Sequence, residues 1–358
     1  MKLFKSGNFD FNHNVFYNNA LPYWIGSLLW AICAWWFLFT PAPAVVEYCF
    51  SQKWYRWVLA LMTPATQTVS FPIVFVLLFA GLAALLLSWI RNGAFLWGIR
   101  RLFMVLPVIV VWFIAFWGAG YRRVPVEERL HLDASAISAN EIAGVRALLL
   151  DEVKRDLPLP GEREVSRAIG SIAASMERIV ASWDGRPIVL PCRVKWMPKG
   201  FLLSNGTSGM CAPFTLEALV DKGLPDTALV YSAAHELGHI AGFCPEDEAS
   251  FIGWVAGLQA EDKFARYASA LSAYSDLMDQ LRSDEFKKAF AALPESAKED
   301  LRKADEAYRK YRIAWFSRIS WRAYNRYLQS QGVHEGVQNY SHGITLLVYA
   351  SRKGMAKM

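Results

Sequence analysis

Hydrophobic and polar positions divide the chain into two unlike stretches. Up to about residue 123, apolar residues run in long blocks without a polar stripe. From Val124 onward they recur at helical spacing among charged residues. Three blocks carry no charge and match the roughly 20 helical residues that a bilayer span requires. These are residues 21–40, closed by Pro41-Ala42-Pro43; residues 71–90, ended by Arg91; and residues 102–121, ended by Arg122-Arg123, with Pro107 as an expected kink. Tyr23, Trp24, Trp54, Tyr55 and Trp57 supply the aromatic rim expected at a membrane interface. No small-residue cleavage site follows the first block, which therefore reads as an anchor rather than a signal peptide.

The loop holding Arg91, Arg100 and Arg101 has no acid and is expected to be cytoplasmic. Two spans separate it from the N-terminus, which falls on the same side, and a third span would put the C-terminal region outside the cytoplasm. Arg122-Arg123 pulls the opposite way. The expected location is the cell membrane, multi-pass, with residues 1–123 as the membrane region and residues 124–358 as an extracytoplasmic domain.

The second stretch predicts helices over residues 137–157 and 162–183, separated by Pro158-Leu159-Pro160-Gly161. Residues 186–210 alternate β-branched or aromatic positions with basic ones and predict short strands and loops. Asp226-Thr227 reads as the N-cap of a helix running through Ala241 and stopped by Gly242. A second helix is expected near Pro245 and Glu246, then long amphipathic helix to Gln331, broken near Pro294. The expected fold is a multi-span α-helical membrane region followed by a mostly helical α+β domain.

Composition agrees with this division: 54% of the residues are hydrophobic, with 15 Trp and 22 Phe. The net charge of +6 is not gathered into a basic stripe, so the lipid bilayer, and not nucleic acid, is the expected partner. Five cysteines without a C-x-x-C pair argue against a thiolate metal cluster or a redox pair. A Cys192–Cys211 disulfide and buried free thiols both remain open.

The chemistry concentrates in His235-Glu236-Leu237-Gly238-His239. Histidines four apart share one helix face, so His235 and His239 can hold one metal ion, with Zn2+ the expected cofactor. Glu236 beside them is placed to take a proton from water as a general base. A catalytic zinc needs a third protein ligand and an open position. Gly242 permits a sharp turn that returns Cys244-Pro245-Glu246-Asp247-Glu248 towards the metal. Glu246 is the expected third ligand and Glu248 the alternative; His334 and His342 are remoter choices. Tyr340, with His334 and His342, is a candidate donor to a developing oxyanion. Residues 206–214 read either as the edge of a substrate cleft or as a plain connection. Glu217 reads as a helix-packing residue or as a wall of the cleft.

These motifs resemble an uncharacterised bacterial family of membrane-embedded, zincin-like proteins. The likeness rests on residues 234–239, Gly242-Phe243 and residues 246–251, with further blocks at residues 212–218 and 335–340. Ser250 stands where Asn is expected. The resemblance implies a membrane-anchored zinc metallopeptidase acting on a peptide or protein substrate, membrane-proximal ones included. Rival readings are a metal-binding regulatory or partner-binding membrane protein and a zinc hydrolase of a non-peptide amide or ester.

Overall fold

A computed structural model describes residues 13–92, 95–159, 161–333 and 342–354. The chain is mostly helical with a small sheet, and it divides into two compact units. Met1–Pro41 and Phe79–Ala115 form the first; Ala42–Leu78 and Phe116–Met358 form the second. This division departs from the compositional boundary at residue 123, because residues 42–78 pack with the C-terminal region.

The first unit is built from helix α1, His13–Leu38, and most of two further helices. Helix α2, Tyr55–Gln67, belongs to the second unit; α3, Ile73–Asn92, begins in the second unit and ends in the first; α4 covers Phe95–Phe116. Gly26 lies against the Met104 sulfur, where a Cβ would overlap it. Trp30 Nε1 donates to the Phe103 carbonyl at 3.0 Å. Outward-facing Leu82, Leu86, Leu87 and Ile90 are exposed, an apolar surface that water disfavours.

Two helices are long and apolar enough to cross a membrane, Ile73–Arg91 and Gly98–Phe116. The first apolar block contributes a shorter apolar helix, Tyr23–Leu38. The third block is displaced from its expected limits. Its helix starts at Phe95 and stops at Phe116, because Trp117 adopts an extended φ of −153° and residues Gly118–Arg122 form a 3-10 turn.

In the second unit, α5, Ala139–Arg155, and α6, Val165–Asp184, lie close to the predicted helices. Ser138 and Glu141 form a capping box at the start of α5. Strands β1, Lys195–Met197, β2, Gly209–Ala212, and β3, Glu217–Asp221, form a sheet of order β1-β3-β2. β1 runs parallel and β2 antiparallel to β3, with Gly209 opposite Val220. Among the described residues no strand pairs with the outer edge of β2.

Helices α7, Asp226–Ile240, and α8, Glu246–Leu258, follow; Pro225, rather than Asp226, is the N-cap of α7. The expected long helix is four: α9, Lys263–Asp279; α10, Ser283–Ala292; α11, Glu295–Tyr311; and α12, Ala314–Ser330. Helix α13, His342–Arg352, ends the described chain.

Two corrections concern single residues. Glu217 lies on β3, not on a helix, and its oxygens accept from the amides of Ile73 and Val74, each at 2.9 Å. The carboxylate thus caps the start of α3, where free N–H groups need acceptors. Cys192 and Cys211 are both free thiols.

Tyr55, expected at a membrane rim, is instead buried, and its hydroxyl donates to the Ile240 carbonyl at 2.7 Å. Glu47 pairs with Arg123 at 2.9 Å, and Arg123 also donates to the Gly242 carbonyl at 3.0 Å. These contacts fasten residues 42–78 beneath the end of α7.

Candidate metal centre

Helix α7 ends where His235, Glu236 and His239 stand. The chain turns at Gly242, whose φ of +91° disfavours a side chain. The turn is closed by Gly242 N–H to His239 O at 2.9 Å and Phe243 N–H to Gly238 O at 3.2 Å. Pro245 then caps α8, which packs back across α7 at very short range. A Cβ on Gly238 would stand 2.8 Å from the Ala249 carbonyl oxygen, and one on Gly253 would stand 3.3 Å from the Ala234 carbonyl. Two glycines facing the opposite backbone let the helices approach closely enough for Glu246, at the start of α8, to reach the histidines.

Glu246 Oε2 lies 3.0 Å from His235 Nε2 and 3.4 Å from His239 Nε2. One ligand atom from each of the three residues falls within 4.8 Å of the others. A tetrahedral ion with bonds of about 2.0–2.2 Å holds its ligand atoms about 3.3–3.6 Å apart; the two Glu246 separations are near that spacing, and the wider separation within the trio must close around an ion. His239 Nδ1 donates to the Phe243 carbonyl at 2.9 Å, which leaves the Nε2 lone pair facing the group. His235 Nδ1 is 3.1 Å from Ser250 Oγ, so Ser250 occupies the supporting position where the family resemblance suggested Asn.

Charge in this buried group is finely opposed. Burial pulls His235 below its ordinary value, against its hydrogen bond to Glu246. Burial would lower His239 as well, but the Glu246 charge and hydrogen bond overcome it and push the imidazole up to about 9. Burial acts to raise Glu246, yet His239 and His235 hold that carboxyl well below the carboxylate range. The imidazoles that depress this carboxyl are the same groups that could share a metal ion with it.

Glu236 is the exception. Burial pushes it up to about 8, with His239 pulling the other way, and its buried Oε2 has no hydrogen-bond partner among the described residues. Its carboxylate abuts Gly209 of β2, where a Cβ would come within 2.5 Å of Oε1. Residues 206–214 therefore hold a strand that flanks Glu236, not only a connection.

Glu248 is turned away: its Oε1 accepts from the Val126 amide at 2.9 Å. Burial and the neighbouring Asp247 push it up to about 8. His342 Nδ1 lies 2.9 Å from Asp247 Oδ2, so it pairs with that acid and is not one of the three grouped residues. Tyr340 and His334 lie outside the described residues.

Three contributors were not read from sequence. Tyr324, on α12, donates its hydroxyl to Glu246 Oε1. Trp117 sets its ring edge-on to His239, with centroids 6.0 Å apart, and its Nε1 reaches the His239 carbonyl at 3.4 Å. Phe243 contributes only its carbonyl. The inner face of α12 carries Ser317, Trp321, Tyr324 and Leu328 at helical spacing, the one signal that Tyr324 faces inward.

Residues 50–348 match a family described as a protein of unknown function, DUF3810. The chain belongs to this family. No curated protein and no solved structure matches it. The DUF3810 match extends from the π-helical segment before α2 into α13, and so takes in the whole metal group and its supports.

Proposed function

We propose that this protein is a membrane-anchored zinc metallopeptidase in which His235, His239 and Glu246 hold the ion. The observation that carries the reading is Glu236 beside the His-His-Glu trio, its buried Oε2 without a hydrogen-bond partner among the described residues; Glu248 Oε2 shares that lack, but Glu248 is turned towards Val126. A buried carboxylate oxygen without a partner is costly, and a purely structural metal site has no use for one. Zinc at such a site supplies Lewis acidity, which activates water and polarises a carbonyl. Glu236 orients the water, accepts its proton and passes it to the departing amine. Ser250 and the Phe243 carbonyl fix the two imidazoles, and Tyr324 holds Glu246.

The outer edge of β2 offers main-chain donors and acceptors to an extended peptide. Glu236 stands directly against that strand, its carboxylate packed on Gly209. Peptide is therefore preferred over other amides or esters as substrate. The exposed apolar faces of α3 and α4 supply the anchor.

The test is metal analysis of the purified chain together with peptide-library cleavage, with and without a chelator. We expect about one zinc per chain in the wild type. Glu236→Gln should keep that zinc and lose hydrolysis by roughly 10²-fold or more, since an amide cannot accept the proton. Undiminished turnover in Glu236→Gln would sink the mechanism. Zinc binding without cleavage of any peptide by the wild type would favour the regulatory reading.

A further inference from the structure

Helix α12 turns two faces to different surroundings. Inward, Tyr324 reaches Glu246, and Ser317 and Leu328 are buried. Outward, Trp315 and Ile319 are 62% and 58% exposed, although nothing in protein folding favours leaving such side chains in water. Farther along the same outward face stand Arg318, Arg322 and Arg326, exposed and unpaired with any acid among the described residues. An apolar patch merging into an arginine row is the composition of a helix lying in a membrane interface.

The neighbourhood of this patch points to the same occupant. The Ile313 amide donates to the Ser204 carbonyl at 2.9 Å, tying the start of α12 to the loop after β1. Phe316 and Phe201 line one open concavity with that loop, and Phe201 is itself 52% exposed. Phe201 also meets Phe75 edge-on, with centroids 5.7 Å apart. Phe75 lies in the first turn of α3, the part of that helix that belongs to the second unit and where its apolar span begins. Lys195 Nζ, donating to the Phe71 carbonyl at 2.9 Å, and Glu217, capping Ile73 and Val74, fasten the sheet to the same point. Phe71 there is exposed too.

We propose that the outward face of α12, centred on Trp315 and Ile319 and joined by Phe201, is seated in the headgroup layer of the bilayer, with the three arginines against anionic lipid. This rests on the membrane-anchor reading given above. A helix placed so would hold its Tyr324 side, and with it the metal centre, immediately over the lipid surface. The substrates best served are then segments lying on the membrane or just emerging from it.

The experiment uses the full chain reconstituted in vesicles of phosphatidylcholine with phosphatidylglycerol, and in phosphatidylcholine alone. A nitroxide is attached through Ile319→Cys, through Ser296→Cys on the exposed start of α11, and through Leu86→Cys in α3, one at a time. Collisional relaxation by oxygen, which concentrates in lipid, is compared with that by a water-soluble nickel complex. We expect the oxygen-to-nickel ratio at position 319 to lie several-fold above that at position 296 and below that at position 86. Substituting Arg318, Arg322 and Arg326 together by Gln should lower it in the anionic vesicles. A ratio at 319 equal to that at 296, with 86 in lipid, overturns the proposal and leaves the anchor intact. Aqueous behaviour at both 319 and 86 overturns the proposal and the anchor together. Shielding of 319 from both relaxants means that a protein surface covers the face, and overturns it too.

Discussion

Gly209 and Tyr324 have opposite relations to the metal centre, one making room and the other making a bond. Gly209 has no positive φ to preserve, so alanine suits its backbone; the obstacle is the Glu236 carboxylate, 2.5 Å from where a Cβ would stand. Gly209→Ala should displace Glu236 while leaving the trio of ligands alone. We expect metal content to be unchanged and kcat/KM to fall about tenfold or more, a barrier increase of at least ~1.4 kcal/mol. Steady-state assays alongside zinc analysis would check this, and unchanged kcat/KM would refute the assigned role of Glu236. Tyr324→Phe removes the hydrogen bond to Glu246 Oε1 and little else. Outer supports of metal ligands are worth roughly 10–100-fold in affinity, so zinc should be lost at correspondingly lower concentrations of a competing chelator. Retention equal to wild type would make Tyr324 a bystander.

At the scale of elements, the site depends on two helices brought together by glycines and on caps that hold distant segments in place. The capping box of α5 also reaches the C-terminal helix, since Arg352 Nε donates to Glu141 Oε1 at 2.7 Å. Arg352, with the Ser138 amide and hydroxyl, lowers Glu141 from an ordinary 4.5 to about 2. A carboxyl whose pKa is depressed by folding contributes stability above its unfolded value and loses that contribution as pH falls through the folded one. Glu141→Gln should therefore unfold at lower temperature than wild type at pH 7, and the gap should narrow as pH falls from 4.5 towards 2. Thermal unfolding of the two proteins in detergent across that range would show it; a gap constant with pH would refute the assignment.

Sequence was informative where structure is local. The histidine spacing, the Gly242 turn and the acid opening α8 are all set within a dozen residues, and the metal group follows from them. Tyr324 and Trp117 were not legible, because no local pattern announces contacts spanning 78 residues to Glu246 or 122 to the His239 carbonyl. Glu217 was misread for a related reason. Its partners, the amides of Ile73 and Val74, lie across the sheet at the start of another helix. Nor could spacing choose between Glu246 and Glu248, since only the crossing of α8 over α7 turns one towards the histidines and the other towards Val126.

For the whole molecule, the main departure from the sequence reading concerns the membrane flank. Arg123 looked like a positive charge marking the cytoplasmic end of the third span. In the fold it is buried against Glu47 and the Gly242 carbonyl, supporting the turn after the metal helix. Its charge is thus accounted for by packing inside the fold, whereas Arg91, Arg100 and Arg101 lie on the two helices that border the short loop. The orientation rule weights arginines beside short loops, and these three keep their weight. We therefore expect the loop after α3 to be cytoplasmic and the metal centre to lie outside. Arg91→Cys and Ser296→Cys, each made with the exposed Cys49 and Cys192 replaced by serine, place one thiol at each end of the prediction. Whole cells treated with an impermeant thiol reagent should label position 296 and spare position 91 until the membrane is opened. Labelling at 91 alone in intact cells would invert the topology, and with it the compartment in which the protein meets its substrate.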